Sequence, residues 1–406
     1  MPGSIKDRVA IAGMGCTRFG ERWDACTADL LVDAAYKAFE DAGIEPGDVQ
    51  AAWLGTQNSG MTGMTLSEPL RLPYIPITRV ENACATASDA FRNACYAVAA
   101  GIYDIVLAIG VDKFKDSGIS GLTDGSTPGP SHAMGSVGMP PRSFAMLATT
   151  YFDRYGLSYE EGKHMICRVS WKSHVNGARN RNAHFQREVP LETMINAPMI
   201  AWPLGLYDCC GVSDGSAAAI ITTPEIAKSL RKGKEPPAFV KALQIAMAPR
   251  DGNYNTKYDY THVESTVRAA SAGYKEAGIT NPREQISMAE VHDCFSITEA
   301  ITMEDLGFSP RGKVRDDIES GFFDLDGKLP IQTDGGLKCF GHPVGASGIR
   351  MLYEMYLQLQ GRADTLLNSG MPSRQVKNPK LGLTHNLGGR PDGCAIFLGI
   401  LGLEGA

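Results

Sequence analysis

Long hydrophobic runs and blocks of basic residues are both missing from this sequence of 406 residues. No apolar stretch reaches the roughly 20 residues that a membrane-spanning helix needs. Near the N-terminus, residues 9–13 are apolar, but they follow charged residues and lack the longer core of a signal peptide. The net charge of −6, without basic clusters, gives no electrostatic footprint for a nucleic-acid backbone. We therefore expect a cytoplasmic protein that binds neither a membrane nor nucleic acid.

A disulfide framework is also missing, although the chain has ten cysteines. Their spacing is irregular, and a chain of this length with 43% hydrophobic residues can bury a core without crosslinks. We expect free thiols in a reducing compartment, some of them with a chemical role.

The common nucleotide-binding motifs are absent. Gly13 and Gly15 follow a predicted strand, but Arg18 stands where a G-x-G-x-x-G motif needs its third glycine. There is no G-x-x-x-x-G-K-[ST] loop either. The sequence therefore supports neither NAD binding nor nucleotide hydrolysis.

Short apolar runs alternate with amphipathic segments, which predicts an α/β fold. The predicted strands are residues 9–13, 51–55, 105–110, 217–222, 289–291, 381–386 and 395–398. The predicted helices are residues 27–43, 88–101, 262–278 and 347–359. Residues 115–206 interrupt this pattern with Gly, Pro and cationic residues, and we interpret them as a loop domain over the active-site face. Residues 1–250, with this loop domain, and residues 251–406 look like two halves of similar design.

Cys84 is the first candidate for chemistry. It lies among small residues just before a predicted helix with apolar positions at Phe91 and Val98. Unpaired N–H groups at a helix N-terminus favour the thiolate, and small neighbours let an acyl group approach. The alternative is a small buried core cysteine, which is the better interpretation for Cys16, Cys26, Cys95 and Cys167.

His292 and Cys294 form the second candidate pair. Both follow an apolar strand and precede a helix, where open α/β sheets place chemistry. They offer a hydrogen-bond donor and a proton carrier to one site. Alternatively, Asp293 caps the following helix and His292 only packs.

His342 is the third candidate, as a general base. Glycines surround it within residues 335–348, and Pro343 fixes the turn that orients it. The loop could instead only turn the chain, or His342 could form a metal-binding pair with Cys339. No second cysteine–histidine pair has zinc-finger spacing, so metal is the weaker alternative.

A fourth segment, residues 384–394, is a glycine-containing turn between two predicted strands. Free N–H groups in such a turn can hold an oxyanion, although the segment could equally be a simple hairpin. Taken together, the four segments resemble the thiolase superfamily, specifically its sterol-carrier-protein-type branch. The most specific matches are His-Asp-Cys-Phe at 292–295 and Gly-His-Pro-Val-Gly-Ala-Ser-Gly at 341–348, and residues 212–215 also match.

The sequence differs from the commonest thiolases at two places. Those enzymes have Asn-Glu-Ala-Phe where this chain has residues 292–295, and Cys-x-Gly where it has residues 386–388. The second catalytic thiol is therefore expected at Cys294 rather than near the C-terminus.

The resemblance implies a duplicated fold of five layers, α-β-α-β-α, that is active as a homodimer or larger assembly. It also implies coenzyme A as a co-substrate with no bound cofactor or metal, and a small OB-fold subunit with a zinc ribbon as a partner. The loop domain would contact CoA, although a solvated loop face is the alternative for each basic residue. The predicted CoA contacts are Lys163, Arg168, Lys172, Arg179, Arg181 and Ser347.

The resemblance further implies a role for each reactive group. His342 would take the proton of Cys84, whose thiolate would attack a 3-oxo carbon and become an acyl-thioester. His292 and His342 would hold the enolate oxygen of the departing fragment, and Cys294 would protonate its carbon. The backbone N–H groups of Cys84 and Gly388 would hold the tetrahedral oxyanion.

The implied substrate is a 3-oxoacyl-CoA. At the finest level the chain resembles thiolases that release benzoyl-CoA and succinyl-CoA from 2-benzoylsuccinyl-CoA in aromatic degradation. Acetoacetyl-CoA is the alternative substrate, for cleavage or for Claisen condensation. A retro-aldol acyl-CoA lyase and a non-catalytic acyl-CoA or lipid carrier are the competing functions on the same fold. The reactive set of Cys84, Cys294 and His342 argues against both.

Overall fold

The computed structural model describes residues 3–117, 140–249, 258–364 and 371–406. Its strands are β1 (Ala10–Cys16), β2 (Ala51–Gly55), β3 (Ile77–Val80), β4 (Ile105–Asp112), β5 (Met199–Ala201), β6 (Leu204–Gly205), β7 (Gly215–Thr222), β8 (Ala238–Met247), β9 (Met288–Glu290), β10 (Leu381–Arg390) and β11 (Gly393–Gly402). Its helices are α1 (Thr27–Ala42), α2 (Met64–Leu70), α3 (Thr86–Ala99), α4 (Pro140–Tyr155), α5 (Tyr159–Gly177), α6 (Leu191–Ile195), α7 (Pro224–Leu230), α8 (Glu264–Ala277), α9 (Pro282–Gln285), α10 (Ser296–Asp305), α11 (Val314–Glu319), α12 (Gly336–Cys339) and α13 (Ser347–Leu359).

Most of the strands belong to one mixed sheet. Its order is β3-β2-β4-β7-β1-β8-β11-β10-β9, and β5 pairs separately with β6. The first five strands are joined to the last four through two residue pairs between β1 and β8, Ala10 with Phe239 and Ile11 with Ala238. This narrow junction divides the sheet into two parts, one from each half of the chain.

Helices α3 and α13 lie together between the two parts of the sheet. All residues of α13 are buried, and the helix packs against β7, β10 and α3. On the outer faces, α1 packs on β1 and β7, while α8 packs on β8 and β11. The layers therefore follow the order α-β-α-β-α, which confirms the predicted α/β class and duplicated fold.

Two glycines bring α1 close to β1. A side-chain carbon added at Gly15 would lie 2.2 Å from the Ala34 carbonyl oxygen, and one at Gly13 would lie 2.4 Å from the Ala42 nitrogen. Any larger residue would push the helix away from the sheet. The Gly-x-Gly pair in β1 is therefore a helix-packing feature.

The seven predicted strands and four predicted helices are all present, and α13 has the predicted bounds. The prediction omits β3 and β8. β3 has four residues at the edge of the sheet, and the apolar pattern of β8 is interrupted by Lys241 and Gln244. Because β8 pairs with β11, we propose that the boundary between the halves lies between β7 and β8, ahead of residue 250.

The region predicted as a loop domain is largely helical where it is described. Its residues 118–139 lie outside the described part of the chain. Helix α5 starts with a capping box, because Ser158 Oγ accepts a hydrogen bond from Glu161 N–H and the Glu161 carboxylate accepts one from Ser158 N–H. It packs against α10 and α12. None of the helices in the described residues is both long and apolar enough to span a bilayer.

Candidate active site

Cys84 lies in a tight turn between β3 and α3. The Ala85 and Thr86 N–H groups donate to the carbonyls of Asn82 and Ala83, at 3.0 Å each. Ala83 has φ of 48°, a conformation that costs energy for a residue with a side chain. The turn leaves the Cys84 side chain partly exposed, whereas Ala85 next to it is fully buried. The thiol is thus presented by a constrained backbone.

His342 lies beside this thiol in a defined tautomer. Its Nε2 is 3.2 Å from Cys84 Sγ, and its Nδ1 is 2.7 Å from Ser347 Oγ. The single proton of Ser347 Oγ is donated to the Pro343 carbonyl at 2.9 Å, so this oxygen accepts from His342 Nδ1–H. Nε2 is then left as the acceptor for the Cys84 proton. This geometry is that of a base and its nucleophile.

Desolvation favours the neutral form of both groups. Burial raises the pKa of the Cys84 thiol to about 12, against a smaller lowering by the backbone N–H groups of Gly389 and Cys84 itself. Burial also lowers the pKa of His342 to about 3, with a further contribution from the positive charge of Arg350. Burial therefore opposes the thiolate that the helix N-terminus was predicted to favour.

His292 and Cys294 converge on the same point. The rings of His292 and His342 are edge-to-face with centroids 5.5 Å apart. His292 is fully buried, and burial, followed by His342, lowers its pKa well below the ordinary value. Burial raises the pKa of the Cys294 thiol, and Cys210 and Cys84 add to this effect. The structure thus brings together four of the predicted catalytic residues.

Asp293 caps a helix, but a different one from the helix expected. Its carboxylate accepts from Leu337 N–H at 2.7 Å, at the start of α12, whereas α10 begins at Ser296 without a side-chain cap. Burial, and then the charge of Glu299, raises the pKa of Asp293 to about 7. Asp293 therefore connects the turn that carries His292 to the glycine-rich segment that leads to His342.

Two adjacent glycines of β10 lie at the Cys84 turn. The backbone N–H of Gly389 lowers the pKa of the Cys84 thiol, and the predicted role of the Gly388 N–H as an oxyanion donor stays a prediction. Gly388 permits a close approach, since a side-chain carbon there would lie 2.2 Å from the Asn82 carbonyl oxygen and 3.1 Å from the Cys84 nitrogen. Gly388 thus holds β10 against the Cys84 turn.

Asn386 occupies the position of the C-terminal cysteine of the commonest thiolases. Its Oδ1 accepts from Ser88 Oγ at 2.5 Å, and its Nδ2 is 3.0 Å from Met351 Sδ. These contacts connect β10 to both middle helices. Asn386 therefore has a structural role, and two other thiols, those of Cys294 and Cys210, lie near enough to Cys84 to affect each other's pKa.

Charged and imidazole groups are buried beneath His292. Arg350 Nη1 contacts Glu290 at 2.7 Å and Asp334 at 2.5 Å, and all three side chains are inaccessible to solvent. Burial, and then Asp334, raises the pKa of Glu290 well above its usual value. Nearby, His385 is buried with its Nε2 3.1 Å from Thr266 Oγ1, and burial lowers its pKa to about 3.

Cys84, His292 and His342 could also hold a metal ion. Their ligand atoms lie within 4.8 Å of one another, and no comparable group occurs in the described ranges. One thiolate with two imidazoles suits zinc. The predicted alternative, a pair of Cys339 and His342, does not form, because Cys339 Sγ donates to the Phe185 carbonyl at 2.8 Å and His342 faces Cys84.

Three of the predicted CoA contacts have other partners. Lys163 is buried in an ion pair with Asp208, and Lys172 is buried in one with Glu299. Neither ammonium group is available to a CoA phosphate in this structure. Ser347 is fully buried, and its Oγ is hydrogen-bonded to His342 Nδ1. The structure thus gives these three residues partners other than CoA, distant in sequence for the two lysines and local for Ser347.

The three arginines remain nearer the surface. Arg168 pairs with Asp324 at 2.8 Å and stacks over Trp171. Arg179 Nη1 donates to the Ser373 carbonyl at 3.2 Å and lines a cavity of about 660 Å³ beside α5. Arg181 is exposed. None of these contacts involves the reactive thiols or imidazoles.

Two buried carboxylates near the site were not singled out from the sequence. Asp112 ends β4 and accepts from Gly345 N–H at 2.6 Å, and Asp214 precedes β7 and accepts from Phe114 N–H at 2.8 Å. Both are fully buried. A carboxylate at the end of an apolar strand is the local signal that could have identified them.

Comparisons with known proteins agree with this geometry. Residues 9–225 match the family model described as "Thiolase, N-terminal domain", and residues 246–396 match "Thiolase C-terminal domain-like". The chain is 36% identical over 404 residues to an acetyl-CoA acetyltransferase of Methanothermobacter thermautotrophicus, covering 96% of this chain and 98% of the relative. It is 29% identical over 389 residues to the benzoylsuccinyl-CoA thiolase subunit BbsB of Thauera aromatica, covering 95% and 96%.

A solved structure described as "Ltp2-ChsH2(DUF35) aldolase" has a similar fold. It superposes with a TM-score of 0.83 over 100% of both chains, at 24% sequence identity. At this identity the similarity concerns the fold alone.

Proposed function

The chain belongs to the thiolase family and is an acyltransferase of thiolase type, and on this premise we propose that it forms an acyl-thioester on Cys84 from a short 3-oxoacyl-CoA. The observation that supports this role is the 3.2 Å contact between His342 Nε2 and Cys84 Sγ, with Nδ1 committed to Ser347. It gives the nucleophile a base in the required tautomer.

In the first step His342 takes the Cys84 proton as the thiolate attacks the 3-oxo carbon. The pair is neutral at rest, so the proton moves only when the developing negative charge is stabilised. The N–H groups of Cys84 and Gly388 are the proposed donors to the tetrahedral oxyanion, and the N–H of Gly389 also lies beside the sulfur. Each such donor contributes about 3 kcal/mol to comparable reactions.

In the second step the bond between the 2- and 3-carbons breaks and leaves an enolate. His292, kept neutral by burial, donates an N–H to the enolate oxygen together with the protonated His342. Cys294 gives its proton to the enolate carbon and becomes a thiolate. That thiolate then takes the proton of an incoming CoA thiol, which attacks the acyl group and displaces the Cys84 thiolate. Cys84 takes back the proton held by His342, so both groups return to their starting state. The reverse sequence is a Claisen condensation.

We propose acetoacetyl-CoA, or two acetyl-CoA in the reverse direction, as the first substrate to test. The acetyltransferase relative shares 36% identity with the chain, compared with 29% for the benzoylsuccinyl-CoA thiolase subunit. The second candidate is 2-benzoylsuccinyl-CoA, which the sequence resemblance favoured and the latter relative supports. The proposed CoA contacts are now Arg168, Arg179 and Arg181.

We also propose a homodimer and a small OB-fold zinc-ribbon partner. The printed name of the aldolase structure includes a DUF35 component, which belongs to that protein and supports testing a partner here. A retro-aldol lyase on this fold would not need an acyl-cysteine. The convergence of Cys84, His342, His292 and Cys294 therefore favours the thiolase over both the lyase and the carrier.

The test is mass spectrometry of the intact protein with peptide mapping. The protein is incubated with acetyl-, succinyl- and benzoyl-CoA, with and without the partner subunit. We expect an acyl mass on Cys84 and its loss in Cys84→Ala, whereas Cys26→Ser, which removes an exposed thiol, should retain it. An acetyl adduct supports acetoacetyl-CoA chemistry and a benzoyl adduct supports the aromatic substrate. If Cys84 stays unmodified under all conditions, the lyase or carrier becomes the better hypothesis.

A further inference from the structure

One side of Cys84 is apolar. Phe114, Val212 and Val344 form a small hydrophobic cluster, and the Cys84 side chain packs against it. We call these three side chains the apolar wall. The exposed fractions of these side chains are 3%, 8% and 2%, so the apolar wall is almost completely shielded from solvent.

Asp214 fixes the first part of the apolar wall. Its carboxylate accepts from the N–H groups of Phe114 and Lys115 at 2.8 and 3.1 Å, and it pairs with Lys113 Nζ at 2.9 Å. The Asp214 N–H donates to the Gly20 carbonyl at 2.7 Å. These bonds hold the segment of Phe114 against the segment of Val212, two residues before Asp214.

Asp112 fixes the remaining part. Its carboxylate accepts from Gly345 N–H at 2.6 Å, directly after Val344, and from Thr56 Oγ1 at 2.9 Å. Gly345 has no room for a side chain, because an added carbon would lie 2.6 Å from the Val111 carbonyl oxygen. Val344 is therefore held against the end of β4, and the apolar wall has little freedom to yield.

The other sides of the Cys84 sulfur are polar. His342 Nε2 lies 3.2 Å away, the ligand atoms of His292 and His342 lie within 4.8 Å of it, and the Gly389 N–H points at it. In the reaction described above, these groups contact the oxygens and protons of the reacting centre. An alkyl or aryl chain attached to the thioester carbon would bind unfavourably on that side, because it would leave buried polar groups without hydrogen-bond partners.

We propose that the apolar wall receives the acyl chain carried by Cys84, and that the Phe114 ring sets the longest chain the enzyme accepts. This inference rests on the proposed acyl-thioester. It assigns acyl-length specificity to two residues of the apolar wall, Phe114 and Val212. It also gives a role to the Val212–Gly215 run, which the catalytic steps do not use.

The test compares acylation of Cys84 by acetyl-, butanoyl-, octanoyl- and benzoyl-CoA, followed by mass spectrometry over time. In Phe114→Ala we expect the ratio of octanoyl to acetyl labelling rates to rise by about tenfold or more, as is usual when a pocket gains room for extra methylenes. In Val212→Phe we expect butanoyl labelling to fall by about tenfold relative to acetyl. Phe308→Leu, a matched change in a separate part of the core, should leave both ratios unchanged.

The outcomes separate this inference from the proposed function. If wild-type Cys84 is labelled but the ratios in Phe114→Ala and Val212→Phe equal those of wild type, the apolar wall does not set acyl length. If Phe114→Ala does not fold, Val212→Phe alone decides, because it fills space rather than emptying it. If wild-type protein is labelled by no acyl-CoA, the acyl-thioester itself is wrong and the inference fails with it.

Discussion

The two residues of the proposed proton transfer, Cys84 and His342, each precede one helix of the middle layer, and the two helices have very different surroundings. Helix α3 begins two residues after Cys84, and several of its residues are exposed or partly exposed. Helix α13 begins five residues after His342, and every one of its residues is buried, including Arg350 and Glu354. The first half of the molecule therefore presents the nucleophile, and the second half surrounds the base with protein.

The distribution of histidine shows the same division. Outside residues 115–206, the first half has no histidine, whereas His292, His342 and His385 are all buried in the second half. A nucleophile must be reached by an acyl group, so small residues and partial exposure suit it. A base with a fixed tautomer needs neighbours that do not move, so deep burial suits it. The same layered design thus serves two opposite requirements.

The largest effect should come from separating the two ends of the proton transfer. In His342→Gln, Cys84 loses its proton acceptor while its thiol pKa stays high, so we expect Cys84 acylation to slow about 10³-fold. The rate of acyl mass gain on Cys84 measures this. His262→Gln, which changes a partly exposed histidine, should be within twofold of wild type. A loss below tenfold in His342→Gln would mean that another group accepts the proton.

The next effect concerns stability and compares one arginine on each middle helix. Arg350→Met leaves the buried carboxylates of Glu290 and Asp334 without their cation, which we expect to cost about 3–5 kcal/mol of unfolding free energy. Arg92→Met removes a partly exposed partner of Asp89 on α3 and should cost about 1 kcal/mol or less. Urea unfolding at pH 7 compares the two. Equal losses of unfolding free energy in the two variants would show that the two arginines contribute equally to stability.

A smaller effect should appear in the pH dependence of stability. Burial lowers the pKa of His385 to about 3 from an ordinary value of 6.5, so below pH 6.5 the unfolded chain binds a proton that the folded chain does not. Stability therefore falls as the pH drops. Between pH 7 and 5, wild type should lose about 2 kcal/mol more than His385→Gln, which keeps a hydrogen-bonding group near Thr266. Urea unfolding at both pH values tests this, and parallel losses would contradict it.

The smallest effect should come from the group that orients the base. In Ser347→Ala, His342 Nδ1–H loses its acceptor and the tautomer is no longer fixed, so we expect kcat to fall about tenfold while KM is unchanged. Ser347→Thr should restore most of the rate. Ser88→Ala on α3, which removes a hydroxyl bonded to Asn386, is the matched control and should leave kcat within twofold. A rise in KM without loss of kcat in Ser347→Ala would instead favour a role in binding.

The sequence predicted those features that depend on local pattern. Apolar periodicity gave the bounds of α13 and the positions of seven strands, because one buried face of a helix or strand repeats at a fixed spacing. The reactive groups Cys84, His292, Cys294 and His342 stood beside predicted helix starts, and the structure brings these four together. Short edge strands such as β3 carry too few residues to show a pattern.

The remaining features depend on neighbours that are distant in sequence. Lys163 and Lys172 look like solvated cations, but their partners Asp208 and Glu299 are 45 and 127 residues away. The helix N-terminus near Cys84 is a local signal for the thiolate, whereas the burial that raises the thiol pKa comes in part from residues distant in sequence, such as Val212 and Val344. The close approach of Gly388 to the Cys84 turn follows from the path of β10, which residue types alone do not specify.

The separation of 258 positions between Cys84 and His342 also affects how the protein is made. During synthesis the N-terminal half leaves the ribosome first, so Cys84 emerges long before its base exists. The N–H of Gly389 arrives later still, 305 residues after Cys84 and close to the C-terminal strand. Acyl-transfer activity can therefore begin only after nearly the whole chain has been released and folded. A truncated or stalled chain would carry the nucleophile without the means to use it.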